Sequence, residues 1–483
     1  MNMIKKSAAA AVLVFVLLFV SSCGLIIVNK SQMPKKTPET ENTVTTETVT
    51  DADTRRLTLD TTSADDLKKE SDSLFKGLSV VTAKGARLVV ATVDETFLMG
   101  DGSETVLTSD RVARFSAVSE KLNADVDVKQ FTESELERQL SEAVAEGRYF
   151  ADVLAVPQSM VGYLASEGLI ESLRTVPKFN IGAAYFSADS VTAMTAGHNI
   201  YGISGAGCFE PEKTYVFYFN KKLAKELGID LYGLVSDGRW TLDEYEKAAE
   251  AAAAAGKKPT VYSPSVDINE MLLYGSGFDF TKNATDRTPE TVTFDSGFSA
   301  LCEKFHGMVK TEPSDDAKNE FLRGGALFLI DTLSAAEEMS ASSLVWGLLP
   351  SPKLDEGSGY TAYIGDDAVI LCIPKCQGDL ELSGDFIEAL CASSYRYIKF
   401  DYLYHYFTRV LRDNESVNSL KIILENENYD FVNIMRTGYP TLYANTAGAF
   451  SEIVAGTLTF EDYAAREEEV REYLAKWFPV KGR

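Results

Sequence analysis

The alternation of strand-like and helix-like segments between residues 87 and 156 constrains the fold of this chain more than any other feature. The strand-like segments are residues 87–93, 126–131 and 152–156, and the helix-like segments between them are residues 109–122 and 133–146. Four apolar residues of the first helix-like segment recur at helical spacing, namely Val112, Phe115, Val118 and Leu122. This order predicts a parallel sheet wrapped by helices, since parallel strands need a crossover connection.

A second informative stretch runs over residues 214–254. Residues 215–219 are an apolar, aromatic run of strand length, and Asn220 can cap the helix that follows because its side-chain oxygen accepts from free backbone N–H groups. Thr241 begins another helix in a capping-box pattern, with Glu244 three positions later. The stretch therefore predicts one strand followed by two helices.

This stretch resembles the sugar-binding family of extracellular solute-binding proteins of ABC importers. The segments that carry the resemblance are TYVFYFN, LAKELGID and TLDEYEKAA. Five more segments between about residues 84 and 400 resemble the same family in the same order: ADVLAVPQSMVGYLASEGLIESL, HNIYGI, NEFLRGGALFLIDT, VWGLLPSPK and YTAYIGDDAVILCI. No single motif among them is unique to the family, so the resemblance rests on their order along the chain.

The resemblance implies an α/β, two-lobed, periplasmic-binding-protein-like fold of type II, in which each lobe is a mixed sheet flanked by helices and a hinge joins the lobes. It also implies that residues 326–330 form a strand that returns to the first lobe. The implied division of the chain is a signal peptide (1–23), a flexible tether (24–83), lobe 1 (84–214 and 325–366) and lobe 2 (215–324 and 367–483).

The N-terminus predicts export and lipid anchoring. Two lysines precede an apolar run over residues 8–20, which is shorter than the roughly 20 residues that span a bilayer and is typical of a signal peptide core. The run ends in VSSCG, which resembles a bacterial lipobox and makes Cys23 the predicted lipidation residue. The alternatives are a simple membrane anchor or an ordinary signal with a chance cysteine. Residues 29–63 are polar and poor in large apolar side chains, which predicts a flexible tether between the membrane and the body.

Charge and cysteine content exclude several classes of function. The formal net charge of −24 argues against nucleic acid as a partner, because phosphate binding needs clustered Lys and Arg. Five cysteines follow the lipobox, and most of them are expected to be buried apolar side chains: Cys208, Cys302, Cys372, Cys376 and Cys391. Neither their spacing nor the three histidines complete a zinc site, so no metal or cofactor is expected.

The candidate ligand-binding residues come from loops at strand ends, where ligands sit in open α/β sheets, and from the segments that resemble the family. They are Asp94, Glu95, Gln158, Tyr201, Asp331, Asp366 and Asp367. Each has a simpler explanation beside the functional one: a solvated loop carboxylate, a helix-capping Gln158 or a half-buried strand Tyr201. The family often places an aromatic residue near Asp331 in oligosaccharide binders, and this chain has none there.

These features favour a binding protein over an enzyme, because no nucleophile–histidine set or spaced carboxylate pair is recognisable. The resemblance implies a lipid-anchored, monomeric receptor on the extracytoplasmic face of the membrane that delivers a sugar or oligosaccharide to ABC permease subunits. A sensor for a signalling partner and a cell-wall glycosidase are the alternative functions. Peptides, polyamines and metal chelates remain open as ligands, and a converging set of carboxylates would favour a cation.

Overall fold

The structure is a computed structural model that describes residues 69–70, 72–103, 105–283, 289–291, 296–308, 311–395 and 397–478. The predicted signal peptide with the lipidation residue Cys23 lies outside the described residues, as does most of the predicted tether. Within those ranges, no helix combines the length and the apolar character that crossing a membrane requires.

The first sheet contains β1 (Arg87–Thr92), β2 (Asp125–Gln130), β3 (Val153–Pro157) and a strand from much later in the chain, β13 (Val369–Cys372). The strand order is β13–β3–β1–β2. The first three strands are parallel, as the alternation of segments predicts, whereas β13 is antiparallel to β3. Apart from a surface residue at the start of β1, the strands β1, β3 and β13 are buried along their whole length, so this sheet is covered on both faces.

Three of the five helices of the first sheet begin at a side-chain cap. The five helices are α1 (Thr96–Met99), α2 (Val106–Leu122), α3 (Glu133–Glu146), α4 (Gln158–Ser166) and α5 (Ala188–Ala193), followed by a small hairpin of β4 (Thr195–Ala196) and β5 (Asn199–Ile200). Helix α2 starts three residues earlier than predicted, because the Thr105 side chain accepts from Thr108 N. A full capping box of Thr132 and Glu135 begins α3.

The second sheet contains β6 (Tyr215–Asn220), β7 (Lys258–Val261), β10 (Ala326–Thr332) and β11 (Trp346–Leu349). The strand order is β11–β6–β10–β7. Strand β6 is antiparallel to β10 and β11, and β10 is parallel to β7. The prediction of mixed sheets flanked by helices is confirmed.

Three predicted strand placements are wrong. Strand β10 does not return to the first lobe, because it pairs with β6 and β7 and buries Phe328 against Phe217 and Trp240 of the second sheet. Strand β11 belongs to the second sheet as well, whereas β13 belongs to the first. The expected placement of residues 325–366 in lobe 1 and of residues from 367 onward in lobe 2 therefore fails for these three strands. An apolar strand pattern specifies burial but not the pairing partner.

The helices of the second sheet are α6 (Lys221–Glu226), α7 (Leu231–Ser236), α8 (Leu242–Ala254), α9 (Ile268–Gly275), α10 (Ser296–Gly307), α11 (Ala317–Leu322) and α12 (Ala335–Met339), with a hairpin of β8 (Thr281–Asn283) and β9 (Pro289–Thr291). Asn220 accepts from Leu223 N and Thr241 accepts from Glu244 N, so both predicted N-caps are confirmed. The Glu244 carboxylate pairs with Lys247, and no described bond returns it to Thr241 as a full capping box requires. The core of this sheet is an edge-to-face aromatic group built on Phe217, Trp240, Tyr245 and Phe328.

The C-terminal region contacts elements of both sheets. Its elements are α13 (Leu380–Ser394), α14 (Tyr397–His405), a π-helical turn (Tyr406–Val410), α15 (Asn414–Glu425), α16 (Phe431–Met435), α17 (Pro440–Ala444), α18 (Ala447–Val454), α19 (Phe460–Ala464) and α20 (Glu467–Trp477). Strand β12 (Ala362–Tyr363) pairs with β14 (Glu427–Asn428). Helices α13 and α16 contact α2 and α4 beside the first sheet, whereas α15 and α18 contact β11 and α10 beside the second.

The folded body begins before residue 84. Residues 72–77 are helical, and Leu74, Leu78 and Val80 pack against the core. The Val81 N–H also donates to Asp385 Oδ2 (2.5 Å). The predicted end of the flexible tether at residue 83 is therefore too late. All five described cysteines are free thiols and buried, which confirms the prediction that they are core side chains.

The contact between α4 and α16 depends on two glycines. A Cβ atom on Gly162 would lie 2.7 Å from Met435 C and O, and a Cβ atom on Gly438 would collide with Gly162 O. The backbones of α4 and the segment after α16 can touch only because neither glycine carries a side chain. This contact joins the C-terminal region to the first sheet.

We expect Gly162→Val to lower the free energy of unfolding by about 1–3 kcal/mol, because the added carbons must push backbone atoms apart. Thermal and urea unfolding of the purified chain measure the loss. The matched control is Gly307→Val, which changes a helical glycine with open space around it and should leave stability nearly unchanged. Equal effects of the two substitutions would contradict the proposed role of the Gly162 contact.

Candidate functional site

Two segments of chain cross between the sheets side by side. The first crossing segment (residues 209–214) leads into β6, and the second (residues 361–368) leads into β13. Thr214 and Ile364 form an antiparallel bridge, and Gly365 N donates to Lys213 O (2.8 Å). Because each segment supports the other through backbone hydrogen bonds, they form a short two-stranded ribbon between the sheets.

Gln158 fixes the second crossing segment of this ribbon to the end of β3. Its side chain is buried, and Nε2 donates to Ile364 O (3.1 Å) and Gly365 O (2.8 Å). Its backbone N–H donates to Ala368 O, and the Ser159 N–H donates to Asp366 O. All described bonds of the Gln158 amide nitrogen therefore go to backbone, so Gln158 positions the second crossing segment at the end of β3.

Glu210 links the first crossing segment to β13. Its Oε2 accepts from Val369 N (2.7 Å), while Oε1 has no hydrogen-bond partner among the described residues. Burial raises the pKa of Glu210 to about 8, although the Val369 N–H opposes the shift. The side chain is therefore largely a neutral carboxylic acid at pH 7.

Seven side chains with polar and aromatic groups lie where the ribbon meets the second sheet and the C-terminal region. We call them the cleft cluster: Lys213, Tyr215, Glu270, Tyr363, Asp366, Arg436 and Tyr443. All seven are half-buried rather than fully buried, so each can be reached by solvent. They come from the two crossing segments, the start of β6, helix α9, the end of α16 and helix α17.

An ion pair forms the centre of the cleft cluster. Asp366 accepts from Arg436 Nη1 (2.5 Å) and from Asn433 Nδ2 (2.6 Å). Burial lowers the pKa of Arg436, but the Asp366 and Glu270 carboxylates outweigh this effect and raise it. The Tyr443 hydroxyl donates to Glu270 Oε1 (2.7 Å), and burial raises the pKa of Glu270. The second crossing segment, the C-terminal region and the second sheet are thus connected through one polar network.

A second charged group lies at the other end of the cleft cluster. Lys213 Nζ contacts Asp367 Oδ2 (2.5 Å). Burial lowers the pKa of Lys213, but Asp367, Glu210 and Asp94 outweigh burial and raise it, so Asp94 lies within the electrostatic reach of this lysine. Carboxylates here outnumber the two cations Lys213 and Arg436.

Tyrosine rings connect the two charged groups. Tyr363 lies 5.7 Å from Tyr215 and 6.2 Å from Tyr274 between ring centroids, and the Tyr363 and Tyr274 planes are nearly parallel at 10°. Burial and then the Asp367 and Asp331 carboxylates raise the pKa of Tyr215. The cleft cluster therefore combines aromatic faces with carboxylate, ammonium and guanidinium groups, which can bind a ligand that has both apolar faces and hydroxyls.

Four of the seven predicted binding residues act electrostatically on Lys213 or Tyr215. Asp94 and Asp367 raise the pKa of Lys213, and Asp331, Asp366 and Asp367 raise the pKa of Tyr215. Asp94 also has a local role, because its Oδ1 accepts from Thr96 N (2.9 Å). Asp331 Oδ1 likewise accepts from Thr332 N (2.7 Å).

The other three predicted residues are placed differently. Gln158 serves the backbone of the ribbon, Glu95 is exposed at the start of α1, and Tyr201 is half-buried beside Tyr439. The Tyr201 hydroxyl is 3.3 Å from Asn199 Nδ2, and among the described contacts none joins it to the cleft cluster. Their roles in ligand binding stay predictions.

Sequence reasoning missed the cluster members that the C-terminal region supplies. Arg436 and Tyr443 belong to short helical segments without a recognisable motif, and they meet Asp366 and Glu270 only after folding. Tyr215 and Tyr363 had a sequence signal, because both lie in family-like segments at the ends of strands. Among the described residues, no group of three or more His, Cys, Asp or Glu side chains is arranged to hold a metal ion.

Comparison with known proteins identifies one matching family. The family described as bacterial extracellular solute-binding protein matches residues 109–372, which is more than half of the chain. No curated protein matches the sequence. The family match ends before the C-terminal region that supplies Arg436 and Tyr443.

Three solved structures illustrate the similarity in fold. The cyclic α-maltosyl-1,6-maltose binding protein from Arthrobacter globiformis has 14% identity and a TM-score of 0.53, and the alignment covers 81% of this chain and 100% of that one. A family 1 extracellular solute-binding protein from Bifidobacterium longum subsp. infantis has 12% identity and a TM-score of 0.52, with 82% and 100% covered. UgpB from Mycobacterium tuberculosis, in complex with glycerophosphocholine, has 13% identity and a TM-score of 0.51, with 81% and 98% covered.

The neutral state of Glu210 generates a pH prediction. Its pKa is about 8 in the folded chain, above the ordinary value of 4.5, so between these values the folded form holds a proton that the unfolded form has released. This group therefore stabilises the folded chain less as pH rises from about 5 to 8. We expect Glu210→Gln, which cannot ionise, to gain stability relative to the wild type over this range, by on the order of a few kcal/mol.

Urea unfolding at pH 5 and pH 8 measures the effect as a difference between variant and wild type. Glu120→Gln, at an exposed position of α2, is the matched control and should show the same pH dependence as the wild type. If Glu210→Gln also kept the wild-type pH dependence, Glu210 would be ionised in the folded protein and the argument for a neutral acid would be wrong.

Proposed function

Because this chain belongs to the bacterial extracellular solute-binding protein family, we propose that it is the ligand receptor of an ABC importer and that its ligand is a sugar or oligosaccharide. The ligand binds at the cleft cluster, and the loaded receptor delivers it to membrane permease subunits. The receptor acts by binding and release and carries out no chemical step. The functional output of the receptor is the ligand-bound state of its cleft, not a reaction product.

The observation that carries this proposal is the composition and position of the cleft cluster. It lies at the ribbon, where the facing edges of the two sheets and the C-terminal region meet. A sugar ring has apolar faces that pack on aromatic rings and an edge of hydroxyls that donate to carboxylates and accept from cations. Tyr363 and Tyr443 provide the rings, and Asp366, Glu270 and Arg436 provide the polar partners.

Sugar as the ligand class has two further supports. The similar protein from Arthrobacter globiformis is by name a binder of a cyclic maltosyl-maltose, which we carry to this chain as part of the proposal. The chain lacks an aromatic residue near Asp331, but the cleft cluster offers the aromatic rings of Tyr363 and Tyr443 instead. The excess of carboxylates in the cleft makes a polyamine the alternative ligand to test.

Closure of the two sheet-bearing regions around the ligand is part of the proposal. In the described part of the chain, the ribbon and the connections of the C-terminal region cross between the sheets, and hinge motions concentrate in such short crossing segments. The Arg436–Asp366 pair joins the C-terminal region to the second crossing segment, and the Tyr443–Glu270 bond joins the C-terminal region to helix α9. A ligand that competes for these bonds can therefore change the relative stability of the open and closed forms.

Anchoring at the extracytoplasmic face completes the proposed role. A diacylated Cys23 would hold the receptor at the membrane while residues 24–71 let the body reach a permease. Two acyl chains provide lasting attachment, because one chain alone binds membranes only marginally. A receptor of this kind needs no partner copy, and we propose that it acts as a monomer.

We expect the full chain to bind a maltooligosaccharide and Arg436→Gln to bind it at least about tenfold more weakly, which corresponds to roughly 1.4 kcal/mol of binding free energy. The substitution removes the cation that Asp366 and Glu270 share and leaves the neighbouring rings in place. Isothermal titration calorimetry with maltose, maltotriose and spermidine measures the affinities, and small-angle scattering with and without ligand measures closure.

The matched control is Arg323→Gln, which removes an exposed arginine paired with Asp316 on the second sheet region. It should leave the affinity unchanged, and both variants should keep the wild-type unfolding temperature within a few degrees. Binding of spermidine alone would replace the sugar with a cation as ligand. Full sugar affinity in Arg436→Gln would place the ligand elsewhere.

Lipid anchoring has its own test. We expect Cys23→Ala to move the protein from the membrane fraction to the soluble fraction of cells or medium and to abolish incorporation of labelled palmitate, because the acylated thiol is lost. Cys302→Ala is the matched control, since Cys302 is a buried thiol of the body. Continued palmitate labelling of Cys23→Ala would disprove lipidation at this residue.

A further inference from the structure

Two thiols contact each other directly before the first crossing segment. Cys208 ends a short 3₁₀ turn (Ala206–Cys208), and Cys391 lies on helix α13. The Cys208 thiol is hydrogen-bonded to Cys391, and this bond together with burial raises the pKa of Cys208. Both side chains are buried, with 7% of Cys208 and 0% of Cys391 exposed. The pair takes no part in the cleft cluster.

Two glycines allow this contact. An added Cβ atom would lie 3.2 Å from Cys391 Sγ at Gly205 and 3.1 Å from the same atom at Gly207. Because neither position carries a side chain, the Cys391 sulfur packs directly against the turn that ends in Cys208. The proximity of the two cysteines is therefore set by the packing of this turn on α13 and not only by the rotamers of the two side chains.

Arg114 of helix α2 joins the same turn to α13. Its Nη1 donates to Gly207 O (2.9 Å) and to Ser394 Oγ (3.2 Å). Arg114 is 5% exposed, and its charge lowers the pKa of Cys208 in opposition to the hydrogen bond and burial. A cation beside a thiol favours the thiolate, which is the form that attacks a disulfide. Arg114 thus holds the backbone around the pair and supports its ionised form.

A cavity of about 630 Å³ reaches the turn that carries the pair. Gly205 and Ala206 line the cavity from the turn, and Tyr395 lines it from the end of α13. Neither sulfur is part of the lining, but Gly205 lies between the cavity and Cys391 Sγ without a side chain. A small molecule in this cavity is therefore one glycine away from the two thiols.

The other described cysteines offer one competing partner. Cys372 on β13 is close enough to Cys208 that burial and then Cys208 raise its pKa, but no hydrogen bond between these two thiols is among the described contacts. Cys302 and Cys376 have no described interaction with another cysteine. Geometry therefore favours Cys391 as the partner of Cys208, with Cys372 as the alternative that an experiment must distinguish.

The family to which this chain belongs is extracellular, and disulfides form and persist outside the reducing cytoplasm. We propose that Cys208 and Cys391 are a redox-active pair that closes to a disulfide bond when the chain meets a small disulfide oxidant. The bond joins the residue directly before the first crossing segment to helix α13. It does not depend on the ligand or on the function proposed for the cleft cluster.

The reaction is thiol–disulfide exchange with an oxidant RSSR. One protein thiolate attacks a sulfur of RSSR, which forms a mixed disulfide and releases one RS⁻. The second protein thiolate then attacks the protein sulfur of the mixed disulfide, which forms the Cys208–Cys391 bond and releases the other RS⁻. Two electrons pass from the protein to the oxidant, and the two thiol protons end on the two RSH products. Because the Cys208 thiol is held largely neutral, the exchange is slow near pH 7 and faster at higher pH.

Thiol counting in the full chain with Cys23→Ala tests the proposal, because this background removes the predicted lipidation thiol. We expect incubation with oxidised glutathione at pH 8, either of the folded chain or during refolding, to remove two of the thiols that a chromogenic reagent detects in denaturant. Peptide mapping by mass spectrometry should find the Cys208 peptide linked to the Cys391 peptide. An added Cys391→Ala should abolish the loss, whereas Cys302→Ala, the matched control at another buried thiol, should still lose two.

Stability shows whether the bond belongs to the native structure. A cross-link that closes a long loop restricts the unfolded chain, so we expect oxidation to raise the unfolding temperature by about 5 °C. The oxidised and reduced forms of the Cys391→Ala variant should unfold at the same temperature. The proposal is overturned if neither route removes two thiols, if the linked peptide contains Cys372 instead of Cys391, if only glutathione adducts form, or if the linked chain is less stable than the reduced one.

Discussion

The bridge between Thr214 and Ile364 is the constraint on which the rest of the structure depends. It sets the two crossing segments side by side and so decides which edges of the two sheets face each other. Gln158 and Glu210 extend the same register by bonding to the second crossing segment and to β13. Both do so from buried positions, where a lost partner is expensive, and the geometry of the ribbon is therefore strongly specified.

The polar groups near the ribbon differ in charge and in pairing because they differ in exposure to solvent. Glu210 is buried and takes part in no ion pair of the described residues, and burial raises its pKa although the more distant Arg111 lowers it, so the neutral acid prevails. Asp366 and Asp367 are more exposed, keep cationic partners and stay available to solvent. A ligand that enters the cleft meets charges that are already paired, so it must exchange hydrogen bonds with them rather than neutralise them. That requirement suits a polyhydroxylated molecule better than a simple ion.

The C-terminal region lies beyond residues 109–372, the segment that matches the family. Its helices contact both sheets, and the Gly162–Met435 contact brings α16 close enough for Arg436 to reach Asp366. The packing of these helices is therefore coupled to the geometry of the cleft cluster.

The sequence by itself determined the elements and their caps, because hydrophobic period and side-chain capping are local: the strands from β1 to β3 and Asn220 at the start of α6 follow from neighbouring residues. It also placed four carboxylates at strand ends. Tertiary structure alone decided that β10 joins the second sheet, that β13 joins the first, and that Arg436 and Tyr443 complete the cleft cluster. The physical reason is that an apolar run specifies burial without naming its partner, and that Asp366 and Arg436 are distant in sequence and become neighbours only when the C-terminal helices pack.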